Sequence, residues 1–390
     1  FESFLVAYPN SEWVNLALKK LGLIYVNLGQ PAKGLEYFKR VFANNPEPSI
    51  AKDALNGIEE IYIALGDPDG YVAFLESVPG YQVSNAQKDS INFRVAEAFY
   101  AEGDYLSATR SYTDYLRKYP NGNNYLLAHF RRGESYWALK DYPNSINDYD
   151  FLLERIPNRY AEASARKSAL VHYNINKDFA KAYTSYIKFT ELASSPEKLH
   201  EAQLGALRSA YRAGLEDPTY ALGDAIVKDP KTDQGEQAEA QYYIAKMALE
   251  KQKYDRSRAA FNQVIALTDD ERSAEARYSI AFIYYLQRDL ATAKELALNT
   301  NSQIGGYEYW LAKSVLLLAD IFVEEGDTFN ARAALESIVE NYDGDQELLD
   351  EAKTKLARLN AQTESENNLK FREDNSSDSE LQLDAPIDNQ

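Results

Sequence analysis

Cysteine is missing from all 390 residues, which excludes disulfides and thiolate metal sites. That absence suits an oxidising compartment, where stray thiols are a hazard. Histidine is almost as scarce. His129, His172 and His200 stand alone, with no second His, Cys or carboxylate at metal-binding spacing, so no metal is expected. His129 reads as a surface or interface residue. Basic residues are in deficit, 42 Lys and Arg against 60 Asp and Glu. The resulting formal charge of −18 would repel phosphate backbones, which argues against nucleic acid and anionic membranes as partners. No apolar run approaches the ~18 residues a membrane-spanning helix needs. The richest stretch, Val315 to Val323, is broken by Asp320.

Catalytic signatures are lacking too. There is no nucleophile elbow and no phosphate-cradling glycine loop. Asp67-Pro68-Asp69-Gly70 opens like a calcium loop, but Val78 stands where the bidentate glutamate belongs. Adjacent carboxylates such as Glu59-Glu60 and Asp269-Asp270-Glu271 diverge on a helix and mark a solvated face and a helix start. The chain reads as a non-enzyme without cofactors.

What is present is a period. Gln30, Asp67, Asp104, Asp141, Asp178, Asp217, Lys253, Asp289 and Asp327 follow one another at 37, 37, 37, 37, 39, 36, 36 and 38 residues. A repeat this long signals a stacked array in which each unit packs on its neighbours. Apolar residues precede each marker at helical spacing, as in Ala17, Leu21, Ile24 and Tyr25. A second helix follows, as in Tyr105, Ala108, Tyr112, Tyr115 and Leu116, and stops at Tyr119-Pro120-Asn121-Gly122. Small residues at Gly22, Ala96, Gly133, Ala245, Ala281 and Ala319 let paired helices approach, as do Ala108, Ala182, Ala293 and Ala331 from the second helix.

The order small residue, aromatic, small residue, aromatic, proline recurs as Gly22, Tyr25, Gly34, Phe38 and Pro46, as Ala96, Phe99, Ala108, Tyr112 and Pro120, and as Gly133, Tyr136, Ser145, Tyr149 and Pro157. It resembles the tetratricopeptide repeat superfamily over residues 1–360. Two departures stand out. Leu18, Asn92, His129 or Arg277 replaces the family's early tryptophan, and the period exceeds the usual ~34. The units near 49–80 and 196–231 match poorly, with Glu59 and Arg208 or Ser209 at the close-packing position, and are expected to be bent joints.

The resemblance implies an all-α, right-handed α-solenoid of about nine helical hairpins with a C-terminal capping helix at about 345–360. Residues 361–390, rich in Asn, Ser, Asp and Glu, are expected to form an acidic disordered tail. Phe1 to Pro9 reads as the end of a truncated helix, leaving room upstream for a signal sequence and lipid anchor. Endings such as Tyr8-Pro9-Asn10-Ser11 resemble the bacterial envelope subgroup that includes the Tol-Pal coordinator and outer-membrane-assembly lipoproteins. That resemblance implies a periplasmic or outer-membrane address, with the cytoplasm as alternative.

In this family the first helices line a concave groove. Counting back from each marker places Phe93, Glu97 and Tyr100 on one stripe, then Phe130, Glu134 and Trp137, then Tyr242 and Lys246, then Tyr278, Phe282 and Tyr285. The expected function is a scaffold that grips a protein or peptide partner, with Glu97 and Glu134 taking its basic residues and the rings its apolar and aromatic ones. Two alternatives remain open: glycan capture by aromatic stacking, and a docking module of a longer enzyme or regulator.

Overall fold

The computed structural model describes residues 1–304 and 306–380, the side chains of 366–380 excepted, and the described residues are helix and turn without strand. Two units divide the chain, Phe1–Ala202 and Gln203–Gln390. The first contains α1 (Glu2–Ala7), α2 (Val14–Asn27), α3 (Pro31–Phe42), α4 (Pro48–Leu65), α5 (Pro68–Ser77), α6 (Asn85–Glu102), α7 (Tyr105–Lys118), α8 (Tyr125–Ala138), α9 (Tyr142–Leu153), α10 (Ala161–Asn174) and α11 (Phe179–Leu192). Helix α12 (Pro196–Arg212) runs across the division. The second unit continues with α13 (Glu216–Lys228), α14 (Gln234–Glu250), α15 (Tyr254–Leu267), α16 (Glu271–Leu286), α17 (Leu290–Gln303), α18 (Glu308–Glu324), α19 (Thr328–Asn341) and α20 (Gln346–Glu380). This is an all-α solenoid of paired helices. Among the described residues, α2 to α19 make nine hairpins.

The periodic markers are the N-caps of the second helices. Asp67, Asp104, Asp178, Asp289 and Asp327 each accept a hydrogen bond from the backbone N–H three residues on, at 2.8–3.2 Å. The residue before each marker turns left-handed. Gly66, Gly103 and Gly326 do so freely, whereas Lys140 (φ 60°), Lys177 (φ 53°), Gln252 (φ 57°) and Arg288 (φ 66°) do so against their Cβ atoms. Such a turn lets the cap's own N–H reach back to the first helix, as from Asp141 to the Tyr136 carbonyl at 2.8 Å. The sixth hairpin corrects the reading of the sequence. Its left-handed residue is Gly214, so the marker is Leu215, and Asp217 lies inside the first turn of α13. Counting from Leu215 gives the sixth joint the same 37 residues as those before it.

Close packing follows the small residues. Ala96, Ala108, Ala182, Ala245, Ala281, Ala293 and Ala331 have no exposed surface. In the first unit the Phe38 ring fills the space between Gly22 of α2 and Gly57 of α4. The poorly matching second hairpin packs through Gly57, Ile58 and Ile61 rather than at Glu59, and its α5 is only 10 residues long. In the sixth hairpin Ser209 is fully buried and donates to the Gly205 carbonyl, so it serves as the small packing residue. Leu348, Ala352 and Leu359 of α20 are buried with Ala319, Ala331 and Leu335, which covers the last hairpin of the second unit. Helix α20 then continues through residue 380, into the stretch expected to be a tail, and residues 381–390 lie outside the described residues.

Candidate functional site

In the first unit Glu97 projects from α6 and accepts a hydrogen bond from the Tyr112 hydroxyl of α7. Arg131 of α8 pairs with the same carboxylate at 3.3 Å, and its guanidinium lies 4.5 Å from the centre of the Tyr100 ring. One period later the arrangement returns. Glu134 accepts from the Tyr149 hydroxyl at 2.7 Å and from Lys167 of α10 at 2.7 Å, while Lys167 Nζ stands 4.6 Å over Trp137. Tyr112 and Tyr149 are fully buried, and burial, reinforced by the neighbouring carboxylate, pushes both phenols well above their ordinary range.

These contacts revise the expected ladder. Glu97 and Glu134 already hold cations of this chain, so the structure does not leave them as open receptors for a partner's basic residues. Phe93 is 7% exposed and packs edge-on against Tyr115 at 5.4 Å, which places it in the core rather than on the wall. Phe130 is half-buried and stacks on Tyr160 at 5.0 Å. Trp137 meets Tyr142 edge-on at 5.3 Å. His129 is buried, not superficial: it stacks on Phe151 at 3.8 Å, and its Nδ1 lies 2.6 Å from Asp148 Oδ1, a carboxylate also held by Arg132 at 2.8 Å. That cluster ties α8 to α9. Among the described residues no group of three or more His, Cys, Asp or Glu could hold a metal ion.

In the second unit Tyr242 and Lys246 of α14 both bind Glu275 of α16, at 2.7 and 2.5 Å. Tyr278 and Phe282 stack at 5.9 Å, Phe282 and Tyr285 at 6.4 Å, and Trp310 of α18 lies 5.6 Å from Tyr278 and 4.9 Å from Tyr309. These rings are all half-buried. Carboxylates border them: Glu324 accepts from the Tyr285 hydroxyl at 2.7 Å, and Glu271 accepts from Trp310 Nε1 at 3.3 Å. Burial, and after it Tyr309 and the carboxylates of Glu351, Asp320 and Glu275, raises the Tyr278 phenol above its ordinary range. Asp320 pairs with Lys355 of α20 at 2.7 Å.

Sequence reasoning missed Tyr309, Trp310, Glu275, Asp320 and Lys355. Asp320 was within its reach, because it lies seven residues before its marker, as Glu97, Glu134, Lys246 and Phe282 do. Tyr309 and Trp310 sit earlier in their helix than the counted positions, and only the packing of α18 on α16 brings them to the Tyr278 ring.

Tetratricopeptide-repeat family models match residues 20–48, 93–159, 242–298 and 313–345. No curated protein matches the chain. Solved structures that it resembles include yeast Tom70, at 12% identity over 90% of this chain and 96% of that one with a TM-score of 0.40. The tetratricopeptide domain of P58(IPK) has 16% identity over 90% and 99%, with a TM-score of 0.29. The apo form of the quorum sensor NprR from B. thuringiensis has 14% identity over 88% and 98%, with a TM-score of 0.39. The family models that match are those of the general repeat, and none of Tom70, P58(IPK) and NprR is a Tol-Pal coordinator or an outer-membrane-assembly lipoprotein. The periplasmic or outer-membrane address drawn from that subgroup is overturned and withdrawn. No helix among the described residues is long and apolar enough to cross a membrane.

Proposed function

We propose that the chain, which has the fold of the tetratricopeptide-repeat superfamily, is a protein-interaction scaffold that grips peptide segments along the aromatic faces of its first helices. The observation that carries this reading is the set of half-buried rings standing four, seven or eleven residues before the turn markers: Tyr100 on α6 with Phe130 and Trp137 on α8 in the first unit, and Tyr278, Phe282 and Tyr285 on α16 in the second. Each ring is wide and rigid, so it offers contact area at little conformational cost. Charges on the same faces are largely neutralised within the chain, so the rings supply affinity while the carboxylates keep neighbouring hairpins together. A formal charge of −18 makes a protein segment the better partner than a nucleic acid. The same surface would serve equally as the docking module of a longer enzyme or regulator.

Selection from a random dodecapeptide library tests the reading. Wild-type protein should enrich a peptide family that is lost when Phe130, Trp137, Phe282 and Trp310 are all changed to Ala, with helical circular dichroism retained. Failure to select any peptide, or selection that survives the four changes, would refute it. Binding to an oligosaccharide panel instead would favour glycan capture.

A further inference from the structure

Charge is divided unevenly between the units. Residues 1–202 carry 22 basic and 25 acidic side chains, a net of −3, while residues 203–390 carry 20 and 35, a net of −15. Residues 301–350 alone hold 11 acidic side chains against Lys313 and Arg332. The aromatic faces differ in a parallel way. In the first unit the ring faces are already occupied by cations that bind a carboxylate at the same time: Arg131 over Tyr100 while paired with Glu97, and Lys167 over Trp137 while paired with Glu134. In the second unit Lys246 likewise lies over Tyr242 while paired with Glu275, but among the described residues no cation stands over Tyr278, Phe282, Tyr285, Tyr309 or Trp310; of the carboxylates beside them Glu324 is paired with Arg288, and Glu271 accepts from Trp310.

We propose that the aromatic wall formed by α16 and α18 takes a lysine or arginine side chain from a basic, leucine-bearing peptide, in the place that Arg131 and Lys167 fill within the first unit. The proposal rests on the groove reading above and narrows it to one wall and one class of partner. A guanidinium or ammonium over the ring faces gains cation–π attraction, and the Glu271 carboxylate beside Trp310 gives it a charged acceptor, whereas Glu324 is already paired with Arg288. The peptide's aliphatic side chains cover the remaining half-buried ring surface. Net charge of opposite sign speeds encounter and disfavours acidic competitors.

Fluorescence anisotropy on the full chain, with a labelled dodecapeptide of alternating arginine and leucine, tests the assignment against a glutamate–leucine counterpart. The arginine peptide should bind, and the glutamate peptide should not. Trp310→Ala, which leaves the charge unchanged, and Phe282→Lys, which installs a resident cation, should each weaken binding about tenfold. Trp310→Phe should restore most of the affinity, separating the loss of a ring from a loss of folding. Trp13→Ala, which removes an exposed ring outside the proposed wall, should stay within about twofold. Equal binding of the glutamate peptide, no binding of the arginine peptide, or undiminished affinity in both second-unit variants would overturn the proposal. If library peptides are still lost in the fourfold variant, the groove reading stands while this narrower one falls.

Discussion

Gly57→Ala pits two opposing effects against each other, and the structure decides the sign. Gly57 lies in the middle of the 18-residue helix α4, where alanine is the better helix former by about 1 kcal/mol. On propensity alone the change stabilises. A methyl group on Gly57, however, would lie 2.6 Å from two carbons of the Phe38 ring, and Phe38 is 1% exposed. The ring has nowhere to retreat, because a methyl group on Gly22 would meet its other edge at the same 2.6 Å, so the backbone of α2 backs it. Overpacking of this kind costs about 1–3 kcal/mol. The net expectation is a loss of up to ~2 kcal/mol rather than a gain of ~1. Urea denaturation followed by circular dichroism measures it, and hydrogen exchange of the α4 amides localises it, since a repeat array need not unfold in one step. Phe38→Leu supplies the control: it creates a cavity on its own but makes room for the alanine, so the double variant should be more stable than the summed single losses by about 1 kcal/mol or more. A stabilised Gly57→Ala, or single effects that add within ~0.5 kcal/mol, would refute the close-packing argument.

Three further outcomes are expected. The buried phenols of Tyr112, Tyr149 and Tyr242 lie well above the ordinary range, and those of Tyr220 and Tyr285 are pushed up to about 12, with burial as the leading cause. Folded values above the unfolded value of about 10 mean that their stabilisation is complete below that pH and is lost as pH rises through the folded values. Phenolate absorbance should therefore rise in two phases, the second coinciding with loss of helix; a single phase with helix intact would contradict it. Asp104, held below the usual carboxylate range by the Ser107 side chain and backbone, should protect the Ser107 amide at neutral pH and lose that protection as pH falls through its lowered value. Asp104→Ala should expose this amide at neutral pH, and unchanged exchange would count against the cap. Lys140→Gly relieves a left-handed backbone at φ 60° and should raise the denaturation midpoint, by about 1 kcal/mol in stability; a lowered midpoint would show that the lysine side chain matters more than its backbone.

Much of the fold was legible because one turn recurs. An aspartate that caps a helix through its side chain stands at a fixed place in the unit, and the eye finds it without knowing what it binds. The same recurrence misleads at Asp217, which keeps the period only approximately because it stands two residues past the true corner, where Leu215 begins α13 through its backbone alone. Wall positions were legible as stripes because helical spacing fixes which side chains share a face. Their partners were not, since Arg131 reaches Glu97 and Lys167 reaches Glu134 only through the pitch between hairpins, which no spacing within a helix encodes. Phe93 shows the converse limit: a stripe gives direction along a helix but not depth, and this ring lies under the surface that the count assigned to it.

Along three successive joints of the first unit the acid stands on the earlier first helix and the base on the later one: Glu59 with Arg94, Glu97 with Arg131, Glu134 with Lys167. Each brick is consequently polarised, like a board with a tongue on one edge and a slot on the other. A spliced copy of the α6–α7 hairpin could be added between α7 and α8 with every acid still meeting a base. The same hairpin installed back to front would set like charges against each other, so at these three joints the ion pairs prescribe a direction of assembly as well as a bond, whereas Lys19 with Asp53 and Arg166 with Glu201 run the opposite way at the joints on either side.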